Sequence, residues 1–274
     1  MNVKLKALVL AAVATLATSG AANAAFTNAA SGDSSLFLTV LDNNNNISAL
    51  FDLGQVFSSF QASAVSAPGT SFSWNLATGN YADAWNTFLG TADTSVSKFA
   101  VYAGDSTGAT TPGANGFVTT YKSGSTVITN SEMVQSFGNS ERYLNANSTL
   151  GNHASVEDGG STAIAGNAFA ETLMYGTNGK VGNNGNFVAT GLFDTSLGVI
   201  SVIRSSTSPL GKATIATYGN EYGNAAFTFS SNGVLTYTVG SAPVTAVPEP
   251  ESYAMMLAGL GLMGFMVRRR NSSK

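Results

Sequence analysis

His153 is the only histidine in the 274 residues, so any Ser-His-Asp arrangement must run through it. It lies in Gly151-Asn152-His153-Ala154-Ser155, a loop-forming stretch. No nucleophile elbow is assigned to any serine, and His153 reads as a solvated or locally bonded loop histidine. Paired carboxylates are the other route to hydrolysis, one acting as general acid and one as nucleophile or base at a glycosidic bond. Of the 15 acidic residues only Glu249 and Glu251 lie near the C-terminus, so some pair could meet in almost any fold of the rest. Glu157 and Asp158 are adjacent, which on a strand points them to opposite faces. Calcium would find hard oxygen donors at Asp42 with Asn43 to Asn46, at Gly104-Asp105-Ser106-Thr107 and at Glu157-Asp158-Gly159. None of these has the twelve-residue loop of an EF-hand, and ordinary turn chemistry accounts for the same residues. Trp74, Trp85 and Tyr81 could stack on sugar rings. Yet Tyr81 and Trp85 share a helical apolar face, and Trp74 sits on the side of Phe72 in an alternating strand, so core packing accounts for all three. The expectation is that there is no catalytic residue and no metal site, with calcium the one ion the loops could take.

Composition narrows the classes further. Charged residues make up 10%, against roughly 25% in an ordinary soluble domain. Hydrophobic residues make up 44%, enough for a core, so the chain is not disordered by composition. A net charge of −3 argues against a nucleic-acid partner, which needs a basic surface. With no cysteine there are no disulfides, thiolate metal sites or cysteine nucleophiles.

The two ends carry more information than the middle. Lys4 and Lys6 precede an apolar stretch from Ala7 to Ala17, and Ala22-Asn23-Ala24 is a small-x-small cleavage site. Residues 1–24 therefore read as a secretory signal, cleaved by signal peptidase between Ala24 and Ala25. At the other end Val247-Pro248-Glu249-Pro250 precedes an apolar run from Tyr253 to Val267, and Arg268-Arg269-Arg270 follows at once. Two prolines around one glutamate favour an extended, solvated backbone outside any helix or sheet, which a processing enzyme could reach. The fifteen-residue run would form a transmembrane-like helix of roughly 22 Å, short against a hydrocarbon core of about 30 Å. Gly259, Gly261 and Gly264 weaken it, and the arginines would stay cytoplasmic.

This tail resembles the PEP-CTERM sorting signal of Gram-negative bacteria that make exopolysaccharide. The resemblance covers Val247 to Arg270, with motif, short helix and basic end in that order. It implies that Pro248, Glu249 and Pro250 are recognised by an exosortase, a membrane-embedded processing enzyme, and that Arg268, Arg269 and Arg270 act as a basic stop. The membrane contact through the helix would be transient, ending in release to the cell surface or extracellular matrix.

Between the ends the pattern is mainly β. Leu36 to Leu41 and Ile47 to Leu53 flank the turn formers Asp42 to Asn46 and read as a hairpin with a loop of about five residues. Further strands are expected at Ser71 to Leu76, Lys98 to Ala103, Phe117 to Tyr121, Phe187 to Leu192, Val199 to Arg204 and Ala213 to Tyr218. Ala226 to Ser230 and Val234 to Val239 form a closing hairpin around Ser231-Asn232-Gly233. Two short helices interrupt. One carries Tyr81, Trp85, Phe88 and Leu89 on a single face, and the other begins at the capping box Thr129–Glu132 and is weakened by Gly138. The span from Asn145 to Asn186 reads as loops with one element near Ala168 to Tyr175. The expected architecture is a single β-sandwich or jelly-roll-like ectodomain over 25–241, a linker over 242–247 and the sorting tail over 248–274.

Three functions fit this reading. The first is an exported, non-enzymatic structural or interaction protein of the cell surface, exopolysaccharide matrix or biofilm. The others are an extracellular carbohydrate-active enzyme using an Asp/Glu pair and an ice-binding protein. The resemblance brings in the last of these; Thr119, Thr120, Thr214, Thr217, Thr236 and Thr238 show no regular period along the chain.

Overall fold

The computed structural model describes residues 26–64, 67–108, 110–148, 150, 159–167, 180–181, 187–242 and 250–271. The expectations for the signal with Ala22, Ala24 and Ala25, for His153, Glu157 and Asp158, for residues 168–175, and for Pro248 and Glu249 lie outside them. In chain order the elements are β1 (Ser35–Asp42), β2 (Ile47–Val56), α1 (Phe57–Ala64), β3 (Ser71–Asn75), α2 (Ala82–Leu89), β4 (Lys98–Asp105), β5 (Gly116–Tyr121), β6 (Ser123–Gly124), α3 (Asn130–Asn147) and β7 (Gly159–Ala163). There follow β8 (Lys180–Val181), β9 (Phe187–Val188), β10 (Gly191–Leu192), β11 (Ser196–Ile203), β12 (Thr214–Thr217), β13 (Gly219–Asn220), β14 (Gly223–Asn224), β15 (Ala226–Phe229), β16 (Val234–Thr238) and α4 (Pro250–Asn271). They fall into two compact units that divide between Ser241 and Ala242.

The first unit is mainly β. Its main sheet has the order β3-β16-β15-β11-β5-β4-β1-β2-β7, with β10 beside β4 and β12 beside β11. Every pairing is antiparallel. The expected two stacked sheets are replaced by one continuous sheet that curls. Phe99 on β4 and Phe229 on β15 show why this must be so. Three strand spacings separate β4 from β15, about 14 Å if the sheet were flat. Their ring centroids lie 5.8 Å apart.

The curl gives the sheet an inner and an outer face. Leu36, Leu38 and Val40 on β1, Phe51 on β2, Val101 on β4, Phe227 on β15 and Tyr237 on β16 line the inside, where α1 and α2 also pack. Trp85 of α2 fills the centre, 6.4 Å from Phe51 and 5.5 Å from Phe229 between ring centroids. On the outside α3 covers the middle strands, with Met133, Phe137, Tyr143 and Leu144 clustered with Phe37, Tyr102, Phe117 and Val202. All eight residues of β1 are buried because both its faces are covered. β16 instead alternates, Leu235 and Tyr237 inward and their neighbours partly exposed or exposed.

Several expectations change. The helix from Thr129 does not weaken at Gly138 but runs 18 residues. A Cβ at Gly138 would meet nothing within 4 Å, so the glycine lies on the open side and packing elsewhere carries the helix past it. The Phe187–Leu192 segment is not one strand: β9 pairs with β6 and β10 with β4, and between them Ala189 accepts a 2.7 Å bond from Thr120 Oγ1. α1 was not expected, and neither was β7, whose Gly-Gly-Ser-Thr-Ala carries no hydrophobic signal.

Candidate functional site

The second unit holds the C-terminal helix. α4 begins at Pro250, so this proline joins the helix instead of standing outside it. The first helical position suits proline, whose missing N–H would be unbonded there in any case. α4 spans 22 residues and ends in Arg268, Arg269 and Arg270, all exposed, at the terminus where cations complement the helix dipole. Met255, Leu257, Leu260, Met263 and Phe265 are all more than half exposed. No helix among the described residues is long and apolar enough to cross a membrane. This corrects the expected transmembrane-like helix. Gly259, Gly261 and Gly264 dilute the apolar run, and the arginines close it after Val267.

In the first unit the candidate ligands and acids act as turn acceptors. Asp42 Oδ1 accepts from the Asn44 and Asn45 amides at 2.9 and 3.4 Å. Its Oδ2 accepts from Asn45 Nδ2 at 2.6 Å and from the Asp93 amide at 2.7 Å. Burial alone would raise the pKa of this carboxyl; these four bonds outweigh it and hold the value below normal. Asp105 accepts from the Thr107 amide and hydroxyl at 2.8 and 2.6 Å. Asp33, Asp52, Asp93 and Asp194 each accept from a backbone amide in the same way, Glu132 closes the α3 capping box, and Glu141 accepts from Ser106 Oγ. Among the described residues no three His, Cys, Asp or Glu side chains group as a metal site.

The aromatic candidates are structural. Trp85 is 1% exposed and stacks on Phe88 at 5.8 Å. Trp74 packs partly buried on the inner cluster and donates its indole N–H to the Leu53 carbonyl at 2.8 Å. Tyr81 packs edge-on to Phe51.

Two features escaped the sequence reading. Gly104-Asp105-Ser106-Thr107-Gly108 does have the Gly-x-Ser-x-Gly spacing of a nucleophile elbow. Its context differs from that motif's strand–turn–helix, because β4 runs here into a turn and Ser106 Oγ donates 3.1 Å to Glu141, tying α3 to the end of β4. The second is Arg204 with Asn115, 5% and 2% exposed. The Arg204 amide donates to the Asn115 carbonyl at 3.0 Å, while the guanidinium Nε and Nη1 and the Asn115 side-chain amide have no hydrogen-bond partner among the described residues. Nothing local in the sequence marks this pair, since strand pairing brings it together.

A mainly β body is followed by a helix with a basic end. Residues 246–270 match the PEP-CTERM protein-sorting motif, and so include Pro248, Glu249, Pro250 and the three arginines. A PEP-CTERM motif implies processing by an exosortase, with export to the cell surface or extracellular space. No curated protein and no solved structure matches the chain.

Proposed function

We propose that this chain is an exported, non-enzymatic structural or interaction protein of the cell surface or exopolysaccharide matrix. The carrying observation is the sorting motif at residues 246–270. In this reading residues 1–24 are removed on export, the Pro248-Glu249-Pro250 segment is the exosortase recognition site, and α4 with its arginines holds the chain transiently at the inner membrane. In this reading the acidic side chains serve the scaffold: eight carboxylates accept from nearby amides and hydroxyls.

The test is replacement of Pro248, Glu249 and Pro250 by alanine in the full chain. Uncleaved precursor should collect in the inner membrane and disappear from the matrix fraction. Equal recovery of wild type and variant in the matrix, both retaining Arg268 to Arg270 by intact mass, would mean plain anchoring and overturn the reading. Against the enzyme alternative, the full chain should turn over no glycan; turnover that a single Asp or Glu substitution abolishes with folding intact would favour that alternative.

A further inference from the structure

α3 covers the outer face only over the middle of the sheet. Beyond it, β3, β16, β15 and the Ser196–Gly198 end of β11 turn their outer side to solvent, and their registers align hydroxyls that lie far apart in sequence. Ser73 pairs with Thr236, Thr236 with Thr228, and Thr228 with Ser196, giving one row across four strands. Ser71 pairs with Thr238 in the next row, which continues through Ala226 and Gly198 without a hydroxyl. Neighbours in a row are about 4.8 Å apart and the rows about 7 Å apart. Ser71, Ser73, Thr238 and Ser196 are exposed, while Thr228 and Thr236 at the centre are partly so. Within this set Thr236 Oγ1 donates to the Thr228 carbonyl at 3.4 Å. The side chains that alternate with them, Phe72, Trp74, Phe227, Leu235 and Tyr237, pack inward.

The face is also free of charge. β3, β16, β15, β11 and β12 contain no Asp, Glu, Lys or Arg. A polyanion or polycation gains nothing from such a surface, whereas a neutral polyhydroxylated chain can exchange its water for paired hydroxyl donors and acceptors at regular spacing. We infer that the outer face of β3, β16, β15 and β11 is a docking surface for a neutral polysaccharide. This deepens the matrix reading above and rests on it.

The experiment is affinity electrophoresis of the full-length chain, held in detergent, through gels containing hydroxyethyl cellulose, dextran or alginate. The first two are neutral glycans and alginate is an acidic one. Retardation is expected in at least one neutral gel and not in alginate. Ser73→Lys and the double variant Thr228→Val/Thr236→Val should each weaken that retardation tenfold or more. Threonine to valine keeps the β-branched shape, and unchanged far-ultraviolet dichroism and melting would show that the fold survives. No retardation of wild type in either neutral gel, retention in alginate alone, or equal retention of the variants overturns the inference. So does thermal hysteresis in ice that the same variants abolish without any effect on glycan. Fractionation of cells separates the two failures. Variants that still partition to the matrix like wild type overturn the docking face alone, while wild type absent from the matrix overturns the matrix reading itself.

Discussion

Asp42 illustrates how a residue with the chemistry of a ligand becomes part of the scaffold. Its carboxylate receives four hydrogen bonds, three from the asparagine turn and one from the Asp93 amide, so it ties the β1–β2 hairpin to the segment before β4. Removing it would strip these part-buried donors of their charged acceptor, at a cost of about 1.5–3 kcal/mol. Asp42→Ala should lower the unfolding free energy by that amount at neutral pH, read as a lower urea midpoint with the slope unchanged. The pH dependence follows from the lowered pKa. The folded carboxyl binds its proton more weakly than the unfolded one, whose pKa is about 3.9. Its stabilisation is therefore present above that value and is lost as pH falls through the lower folded value. Wild type should lose more stability between about pH 5 and pH 2.5 than Asp42→Asn does, measured by chemical unfolding at both ends of that window. An equal loss in both would show that the hydrogen bonds to Asp42 do not favour the ionised form. The asparagine run made this site legible as a turn, but the bond from Asp93 was not, because a tertiary partner 51 residues away leaves no local trace.

At the scale of elements, what could be read depended on whether the signal was local. The closing hairpin was legible because Ser231-Asn232-Gly233 carries its own turn chemistry, and Gly233 indeed sits at φ +83°. A Cβ there would lie 2.7 Å from Trp85 Nε1, so the glycine meets two demands, one conformational and one of close approach. Gly233→Ala should therefore destabilise by more than the ~1 kcal/mol of an ordinary glycine substitution, read as a lowered melting temperature. A variant as stable as wild type would mean that the hairpin and α2 can shift apart without penalty. The start of α3 was legible for the same reason: Thr129 Oγ1 accepts from the Glu132 amide, and Glu132 accepts from the Thr129 amide at 2.7 Å. β7 was not. Its pairing with β2 depends on Gly160 fitting where a Cβ would meet Phe51 and Ala84 at 2.8 Å, a property of the neighbours and not of its own sequence. Curling is likewise invisible in any one strand, since alternation says which side is buried and not whether that side closes on itself. The hydroxyl rows have the same origin. Thr228, Thr236, Ser73 and Ser196 have no common period, and only the registers of three strand pairs bring them into line.

For the whole molecule, the decisive relation is between the folded body and the tail that directs it. Both hydrophobic clusters of the first unit are built from residues between Phe26 and Val239. The first unit thus has a core of its own, while Met255, Leu257, Leu260, Met263 and Phe265 of α4 are exposed. That division suits a signal meant for removal, because processing would cost the body no packing. Deleting the chain from Pro248 onward should leave a first unit that is monodisperse without detergent and melts cooperatively, within about 0.5 kcal/mol of the full chain, the range of substitutions that touch no core feature. In cells the same deletion should release the body as soluble protein, whereas alanine at Pro248, Glu249 and Pro250 should trap it at the membrane. The two variants differ only in whether α4 remains, so opposite destinations would assign retention to the helix and release to the motif. A truncated body that aggregates or melts well below the full chain would show instead that the tail contributes to folding, and the separation of scaffold from signal would fail.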